Sequence, residues 1–264
     1  MIQITGLTKI FDRGTVSEKV ALANVNLTFT AGEFVTIIGG NGAGKSTLLN
    51  CLAGVYAVDA GVIRLDGNDI TGLPEYKRAR WIGRVFQDPS LGTAYDMTIE
   101  ENLAIAYHKN MRRGIQPGIK KAERQHFQER LAALGLGLEN RMKDKVGLLS
   151  GGQRQALTLL MATIVKPRLL LLDEHTASLD PATAKKVLQL TKQLVTDKRL
   201  STLMITHNMK EALAMGTRTI MMHNGEVILD LDDEERKQMT VEKLVSQFES
   251  KSGSSLNNDR MLLL

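Results

Sequence analysis

The stretch GGNGAGKST, residues 39 to 47, decides the fold. It fits the pattern G-x-x-x-x-G-K-[ST] through Gly39, Gly44, Lys45 and Ser46. The apolar run FVTII precedes it, so the loop is expected to lie between a strand and a helix. In such a loop, backbone N–H groups surround phosphate oxygens, the lysine reaches the β- and γ-phosphates, and the serine hydroxyl is a magnesium ligand. The stretch therefore predicts a nucleotide-binding α/β fold.

Two other runs share the apolar character of FVTII at residues 34 to 38, namely LLLL at 169 to 172 and TLMIT at 202 to 206. Runs that are apolar throughout predict strands of a parallel sheet that is buried on both faces. Ligands of such sheets bind at the carboxyl ends of the strands. Polar residues follow each of the two runs, first Asp173 with Glu174 and then His207.

We expect Asp173 to reach a magnesium ion and Glu174 to act as a general base that orients the attacking water. We expect His207 to hydrogen-bond the γ-phosphate or the same water. An acidic pair at a strand end can also cap a helix or face solvent, and a lone histidine there is more often structural. The nearby phosphate loop favours the nucleotide interpretation for all three residues.

The other segments predict an additional sheet and a helical region. The runs IQI at 2 to 4, ALANVNLTF at 21 to 29 and VIRL at 62 to 65 predict an antiparallel sheet near the N-terminus. Between residues 88 and 165 apolar residues recur at spacings of three and four, which predicts a helical subdomain inserted into a single domain of residues 1 to 250.

Near the C-terminus, IMMHNGEVILDL predicts a hairpin that turns at Asn224-Gly225. A helix is expected near residues 241 to 248, followed by an unstructured tail over 251 to 264.

Composition is that of a globular protein, with 43% hydrophobic and 24% charged residues among 264. The net charge of +5 suits anionic partners but does not choose among them. The excess is concentrated between residues 109 and 124, where a solvated surface and contact with a membrane or partner are both open interpretations. The basic residues there are Lys109, Arg112, Arg113, Lys120, Lys121 and Arg124.

The single cysteine, Cys51, excludes an internal disulfide and is expected to be a buried, inert thiol, which indicates a reducing, cytoplasmic compartment. The N-terminal residues predict no signal peptide, and the apolar runs are shorter than the roughly 20 residues that cross a bilayer.

A second glycine pair, in LLSGGQRQ at residues 148 to 155, opens a predicted helix without a lysine. With this stretch, the chain resembles the ATP-binding cassette subunit of the ABC transporter family over nearly its whole length. The motifs that carry the resemblance are GGNGAGKST as Walker A, LLLLDE as Walker B, LSGGQ at 149 to 153 as the signature, Gln87 in VFQDPS as the Q-loop glutamine, Ser178-Leu179-Asp180 as the D-loop, and His207 as the switch histidine.

The resemblance implies a P-loop NTPase core of the RecA type, with a mainly parallel sheet, an N-terminal antiparallel β subdomain and an inserted helical subdomain. It implies that the signature loop meets the γ-phosphate held by the Walker A loop of a second copy. A helix N-terminus binds phosphate without a lysine, which makes this division of labour physically reasonable. The expected assembly is a head-to-tail dimer with two ATP molecules at its interface, and most simply a homodimer.

The resemblance also implies a role for each site residue. ATP contacts are expected from Phe11, which would stack on adenine, and from Gly39, Asn41, Gly42, Ala43, Gly44, Lys45, Ser46, Thr47, Ser150, Gly151, Gly152, Gln153 and Asp180. Catalytic roles are expected for Glu174, His207, Gln87 and Lys45, and magnesium contacts for Ser46, Gln87 and Asp173.

The implied function is that of an ATPase subunit that drives a separate membrane permease from the cytoplasmic face of the membrane. The segment MTIEENL makes the chain more similar to bacterial importers, which implies an extracytoplasmic substrate-binding protein as a further partner and no nucleic acid. More specifically, the segments GGNGAGKSTLLNCLAG and DEHTASLDPATA resemble the ATPases of an importer group linked to aromatic amino acids or similar solutes.

Two other functions are compared with this one. A soluble single-cassette ATPase, such as an iron-sulfur assembly factor, stays open at this point. A P-loop kinase or GTPase does not account for the signature helix, and the guanine motif Asn-Lys-x-Asp is absent from the sequence.

The chain departs from the family at His175, where proline is usual. Altered rigidity of the turn and a pH-sensitive contribution are the two interpretations of this histidine.

Overall fold

The computed structural model describes residues 1–111 and 118–252. The chain divides into two compact units, one formed by residues 1–82 with 199–264 and the other by residues 83–198. The predicted helical insertion, residues 88 to 165, falls within the second unit. Its status as a separate subdomain stays a prediction.

The first unit contains the predicted antiparallel sheet. Its strands are β1 (Ile2–Phe11), β2 (Lys19–Phe29), β4 (Ala60–Leu65) and β5 (Asn68–Asp69), in the spatial order β2-β1-β4-β5. β1 is antiparallel to both β2 and β4, as expected. The strands run further than the apolar segments that predicted them, because polar residues such as Lys9 and Lys19 continue the pairing at the exposed end.

The same unit contains four strands in the order β10-β9-β3-β8. They are β3 (Phe34–Ile38), β8 (Thr202–Ile205), β9 (Arg218–His223) and β10 (Glu226–Leu231). β3 is parallel to β8 and β9, and each of its residues is buried, which explains its continuous apolar sequence. β9 and β10 form the predicted hairpin, with Asn224 at φ 47° and Gly225 at φ 81° as a type I′ turn requires.

Helices complete the first unit. They are α1 (Lys45–Ala53), α2 (Glu75–Arg78), α7 (Met209–Met215), α8 (Asp233–Lys237) and α9 (Val241–Ser252). The predicted helix near 241 to 248 is the first two-thirds of α9, whose Leu244 and Phe248 are buried in one apolar cluster with Met209 and Leu231. Lys251 and Ser252, the first two residues of the predicted unstructured tail, belong to α9, and residues 253 to 264 lie outside the described residues.

The second unit contains the neighbouring strands β6 (Ile82–Val85) and β7 (Leu169–Asp173). The predicted helical character of this part of the chain is confirmed by α3 (Ile99–His108), α4 (Lys121–Ala132) and α5 (Gly151–Thr163). α6 (Pro181–Lys198) follows β7. One apolar cluster joins the first three helices, with Leu103, Phe127, Leu131 and Leu157 all fully buried.

Positive charge in the basic stretch, residues 109 to 124, is partly neutralised where the structure describes it. The Arg124 guanidinium lies 2.7 Å from a carboxylate oxygen of Glu100. Burial lowers the pKa of Lys109. Arg112 and Arg113 lie outside the described residues.

Within residues 1–111 and 118–252, no helix combines the length and apolar character needed to cross a bilayer.

Candidate functional site

The phosphate loop follows β3 and depends on glycine at two positions. Gly39 has φ 151°, and a Cβ there would lie 2.3 Å from the carbonyl oxygen of Met222. Gly44 has φ 98°, and a Cβ there would lie 2.5 Å from the carbonyl oxygen of Ala21. Both backbone conformation and close packing therefore require glycine at these two positions.

Lys45 is the first residue of α1, and its side chain turns back into the loop. Its Nζ donates to the carbonyl oxygens of Gly39 at 2.7 Å and Gly40 at 3.1 Å, and only 5% of the residue is exposed. Gly44 is the N-cap residue of α1, and no side chain of the described residues caps this terminus. Helix N-termini of this kind, which follow a glycine-rich loop, are common anion-binding sites.

The other residues of the loop differ in exposure. Ala43 is buried, Asn41, Gly42 and Ser46 are exposed, and Thr47 is half-buried. Ser46, which is expected to provide a magnesium ligand, is thus among the exposed residues of the loop.

The β9–β10 hairpin supports the phosphate loop through a residue that sequence reasoning missed. The Gly225 N–H donates to the Ala43 carbonyl oxygen at 3.0 Å, and the Gly225 carbonyl oxygen accepts from the Ala23 N–H at 3.0 Å. A Cβ at Gly225 would lie 2.8 Å from the Ala21 carbonyl oxygen. The Asn-Gly signal predicted a hairpin turn, but it does not indicate what the turn contacts.

Phe11 and His207 also belong to the first unit. Phe11, at the end of β1, is half-buried, and its ring meets the Tyr56 ring edge-on at a centroid distance of 5.3 Å. His207 lies between β8 and α7, whose N-terminus is capped by Asn208. Thr206 donates to a carboxylate oxygen of Glu211 at 2.9 Å, so the residues on both sides of His207 are tied to α7.

The acidic pair of the second unit lies where β7 ends. An oxygen of Asp173 is 3.6 Å from the Arg84 guanidinium, which lies 4.5 Å from the centre of the Phe86 ring. Glu174 has φ 46°, a left-handed conformation that costs a non-glycine residue about 1–3 kcal/mol and is retained mainly at functional sites. The Glu174 carbonyl oxygen accepts from the Ala177 N–H at 3.0 Å, which closes a turn.

Gln87 is exposed, but the backbone around it is held from two sides. The Gln155 side chain on α5 donates to the Phe86 carbonyl oxygen at 3.2 Å, and the Ser178 hydroxyl donates to the Gln87 carbonyl oxygen at 3.4 Å. The structure thus brings the segment at Gln87 together with the signature helix and with the segment Ser178-Leu179-Asp180.

The signature residues form the N-terminus of α5. The Ser150 hydroxyl accepts from the Gln153 N–H, and the Gln153 side-chain oxygen accepts from the Ser150 N–H, which is a capping box. A Cβ at Gly152 would lie 2.1 Å from the Thr183 methyl group of α6. Asp180 accepts from the Thr183 N–H at 3.0 Å, and hydrogen bonds from the side chain and the N–H of Thr183 lower the pKa of Asp180.

His175 is almost fully buried, with 1% of its surface exposed. Its Nε2 lies 3.0 Å from the Thr191 hydroxyl, which itself donates to the Val187 carbonyl oxygen at 2.9 Å. Because the hydroxyl proton is used, Nε2 carries the hydrogen and donates to Thr191. Burial lowers the pKa of His175 to about 4, so the ring is neutral near pH 7 and the structural interpretation is favoured over the pH-sensitive one.

The predicted site residues are therefore divided between the two units. The first unit contains Phe11, Gly39, Asn41, Gly42, Ala43, Gly44, Lys45, Ser46, Thr47 and His207; the second contains Gln87, Ser150, Gly151, Gly152, Gln153, Asp173, Glu174 and Asp180.

Comparison with known proteins shows which family the chain is related to. Residues 22–177 match the family model described as ABC transporter. The tyrosine transport ATP-binding protein of Clostridioides difficile is 46% identical over 252 residues, a match that covers 94% of this chain and 99% of the relative. The methionine import ATP-binding protein MetN of Rhizobium johnstonii is 36% identical, and the match covers 86% of this chain and 60% of that longer relative.

The fold is shared with solved structures. An ATP-binding cassette solved as a dimer in a post-hydrolysis state, bound to ADP and Pi, superposes with a TM-score of 0.76 at 30% sequence identity. The alignment covers 88% of this chain and 99% of that one. It confirms the predicted P-loop NTPase architecture.

Proposed function

The chain belongs to the ABC transporter family, as an ATP-hydrolysing subunit of the importer type, and from this premise we propose that it powers the uptake of an amino acid, with an aromatic amino acid as the first candidate. The observation that carries the cargo proposal is the 46% identity to a tyrosine transport protein over 94% of the chain. The relatives named for transport favour this function over a soluble assembly factor.

The family assigns the subunit two kinds of partner, a second cassette and a membrane permease. We further propose that the dimer sits peripherally on the cytoplasmic face of the membrane, and that an extracytoplasmic substrate-binding protein delivers the cargo.

For the nucleotide, we propose that the loop from Gly39 to Thr47 holds the phosphates. Backbone N–H groups at the start of α1 bind phosphate oxygens, and the Lys45 ammonium neutralises charge on the β- and γ-phosphates. Its two carbonyl contacts, to Gly39 and Gly40, keep the ammonium inside the loop. Phe11 stacks on the base, and the edge contact with Tyr56 fixes the orientation of its ring.

For hydrolysis, we propose that the Glu174 carboxylate accepts a proton from the attacking water, while Gln87 and His207 hydrogen-bond the water or the γ-phosphate. The hydroxyl of Ser46, the carboxylate of Asp173 and the amide of Gln87 are oxygen donors of the type that suits Mg²⁺. A bound Mg²⁺ would supply positive charge that stabilises the phosphate oxygens.

For dimerisation, we propose that Ser150, Gly151 and Gly152 bind the γ-phosphate held by a second copy, with Gln153 and Asp180 beside them. The Ser150 hydroxyl accepts from Gln153, so its own proton is left to donate to a phosphate oxygen. Loss of the γ-phosphate removes this contact, so that ATP binding closes the dimer and hydrolysis opens it.

The cargo is tested by reconstitution. The tagged chain is purified from detergent-solubilised membranes of its native cell, bound partners are identified by mass spectrometry, and the complex is placed in liposomes loaded with ATP. We expect a multi-span permease to copurify and labelled tyrosine to accumulate, with Glu174→Gln as the inactive control. Accumulation of methionine but not of aromatic amino acids would contradict the cargo proposal. Recovery of soluble assembly proteins alone would contradict the transport proposal.

A further inference from the structure

The turn after β7 holds the proposed general base in a backbone conformation that needs support. Glu174 has φ 46°, which non-glycine residues rarely adopt and which persists only where surrounding contacts enforce it. Within the turn, the Ala177 N–H bonds to the Glu174 carbonyl oxygen and the Leu179 N–H bonds to the Thr176 carbonyl oxygen. These local bonds close the turn, and the Ser178 hydroxyl, which donates to the Gln87 carbonyl oxygen at 3.4 Å, attaches its far end to the segment at Gln87.

The residue that follows Glu174 provides a buried attachment. His175 extends from the turn into the protein, where its Nε2–H donates to the Thr191 hydroxyl at 3.0 Å. Thr191 has no exposed surface, and its own hydroxyl proton is fixed on the Val187 carbonyl oxygen. The direction of both hydrogen bonds is therefore determined, and the imidazole is held in one tautomer.

The acceptor lies on a helix that is itself fixed at both ends. Near the start of α6, Thr183 packs so closely on α5 that a Cβ at Gly152 would lie 2.1 Å from its methyl group. At the end of α6, the Lys198 ammonium donates to the Thr163 carbonyl oxygen of α5 at 2.7 Å. Thr191 lies between these two contacts, so it is a rigid point for His175 to bond.

We propose that His175 and Thr191 are positioning residues for ATP hydrolysis, whose hydrogen bond fixes the turn and with it the Glu174 carboxylate. The inference rests on the proposed role of Glu174 as general base. Without the acceptor, the buried Nε2–H is left unsatisfied, and the turn moves to find a partner or water. The carboxylate then leaves the position from which it orients water, while the phosphate loop is unchanged.

The test is Thr191→Val, which keeps the shape of the side chain and removes the hydroxyl. Small displacements of a catalytic group cost up to about 100-fold in rate, and we expect kcat to fall about tenfold while the affinity for ATP stays unchanged. Thr191→Ser retains a hydroxyl and is expected to restore most of the rate. Thr163→Val is the matched control, since this buried threonine of the same unit bonds carbonyl oxygens of its own helix and its loss should leave kcat unchanged.

Two further measurements separate positioning from general loss of stability. In ¹⁵N spectra, wild-type His175 should show the Nε2–H tautomer with slow exchange of that proton, and Thr191→Val should lose this signal. His175→Pro fixes φ at this position through the proline ring, so adding Thr191→Val to His175→Pro should cause no further loss of kcat. An equal loss in both backgrounds would overturn the inference.

Glu174→Gln distinguishes failure of the inference from failure of the proposed function. If Glu174→Gln hydrolyses ATP at the wild-type rate, the role of Glu174 is wrong and the inference falls with it. If Glu174→Gln is inactive while Thr191→Val keeps the wild-type kcat, the general base stands and the positioning role is refuted.

Discussion

Gly39→Ala tests whether the phosphate loop depends on glycine for the reason seen in the structure. An alanine Cβ at this position would lie 2.3 Å from the Met222 carbonyl oxygen, whereas real Cβ contacts are essentially never shorter than 3.0 Å. The backbone must therefore move by about 0.7 Å. Since the Gly39 carbonyl oxygen accepts from Lys45, this movement also displaces the ammonium that we assign to the phosphates.

The magnitude follows from the backbone conformation. At φ 151°, alanine occupies a region almost restricted to glycine, which costs about 1–3 kcal/mol. Alanine also restricts the unfolded chain more than glycine does, which stabilises the folded state by about 0.4–1 kcal/mol. With the steric movement added, we expect a net destabilisation of about 2 kcal/mol, which lowers Tm by about 4–8 °C in a chain of this size.

The neighbouring Gly40 is the matched control. Its φ lies outside the left-handed region and a Cβ there would meet no atom within 4 Å, so Gly40→Ala should leave Tm unchanged or slightly raised. Thermal unfolding and ATP titration of both variants provide the comparison, with weaker ATP binding expected for Gly39→Ala alone. Equal Tm values and equal ATP affinities for the two variants would refute the reasoning.

The other predictions concern the phosphates, the cysteine and the buried arginine. Lys45→Ala should weaken ATP binding by roughly tenfold or more in a titration, because a charged hydrogen bond is lost; unchanged affinity would contradict its role. Burial raises the pKa of Cys51 to about 11, so at pH 8 only about one thiol in a thousand is ionised and iodoacetamide should label the native protein far more slowly than the urea-unfolded chain. Arg78 is buried and donates to four backbone carbonyl groups, so Arg78→Gln should lower the free energy of unfolding by about 3 kcal/mol, whereas the exposed Arg64→Gln should change it little.

Local sequence predicts the bounds of a strand correctly where every residue of the strand is buried. β3 matches the run FVTII residue for residue, because every residue of the strand is buried and the run therefore continues to both ends of the strand. β6 was not predicted, because Gly83 and Arg84 interrupt its apolar pattern. Close packing requires glycine at residue 83, since a Cβ there would lie 2.5 Å from the Ala162 carbonyl oxygen.

Contacts between residues that are far apart in the chain cannot be predicted from local sequence. α6 was not predicted, although Asp180 and Pro181 are start signals for a helix and the Asp180 side chain accepts from the Thr183 N–H. The contact of Gly225 with the phosphate loop joins residues that are far apart in the chain. The hydrogen bond from His175 to Thr191 likewise depends on how α6 packs, and the spacing of apolar residues does not predict that packing.

The most direct test of the account is the oligomeric state of Glu174→Gln with and without MgATP, measured by sedimentation velocity alongside phosphate release. We expect Glu174→Gln to be a monomer without nucleotide and to form a dimer that retains two ATP molecules when MgATP is added. We expect almost no hydrolysis. Ser150→Ala together with Gly151→Ala in the same background should abolish the dimer while each chain still binds ATP. A Glu174→Gln protein that stays monomeric with MgATP and hydrolyses ATP at the wild-type rate would contradict the central claim.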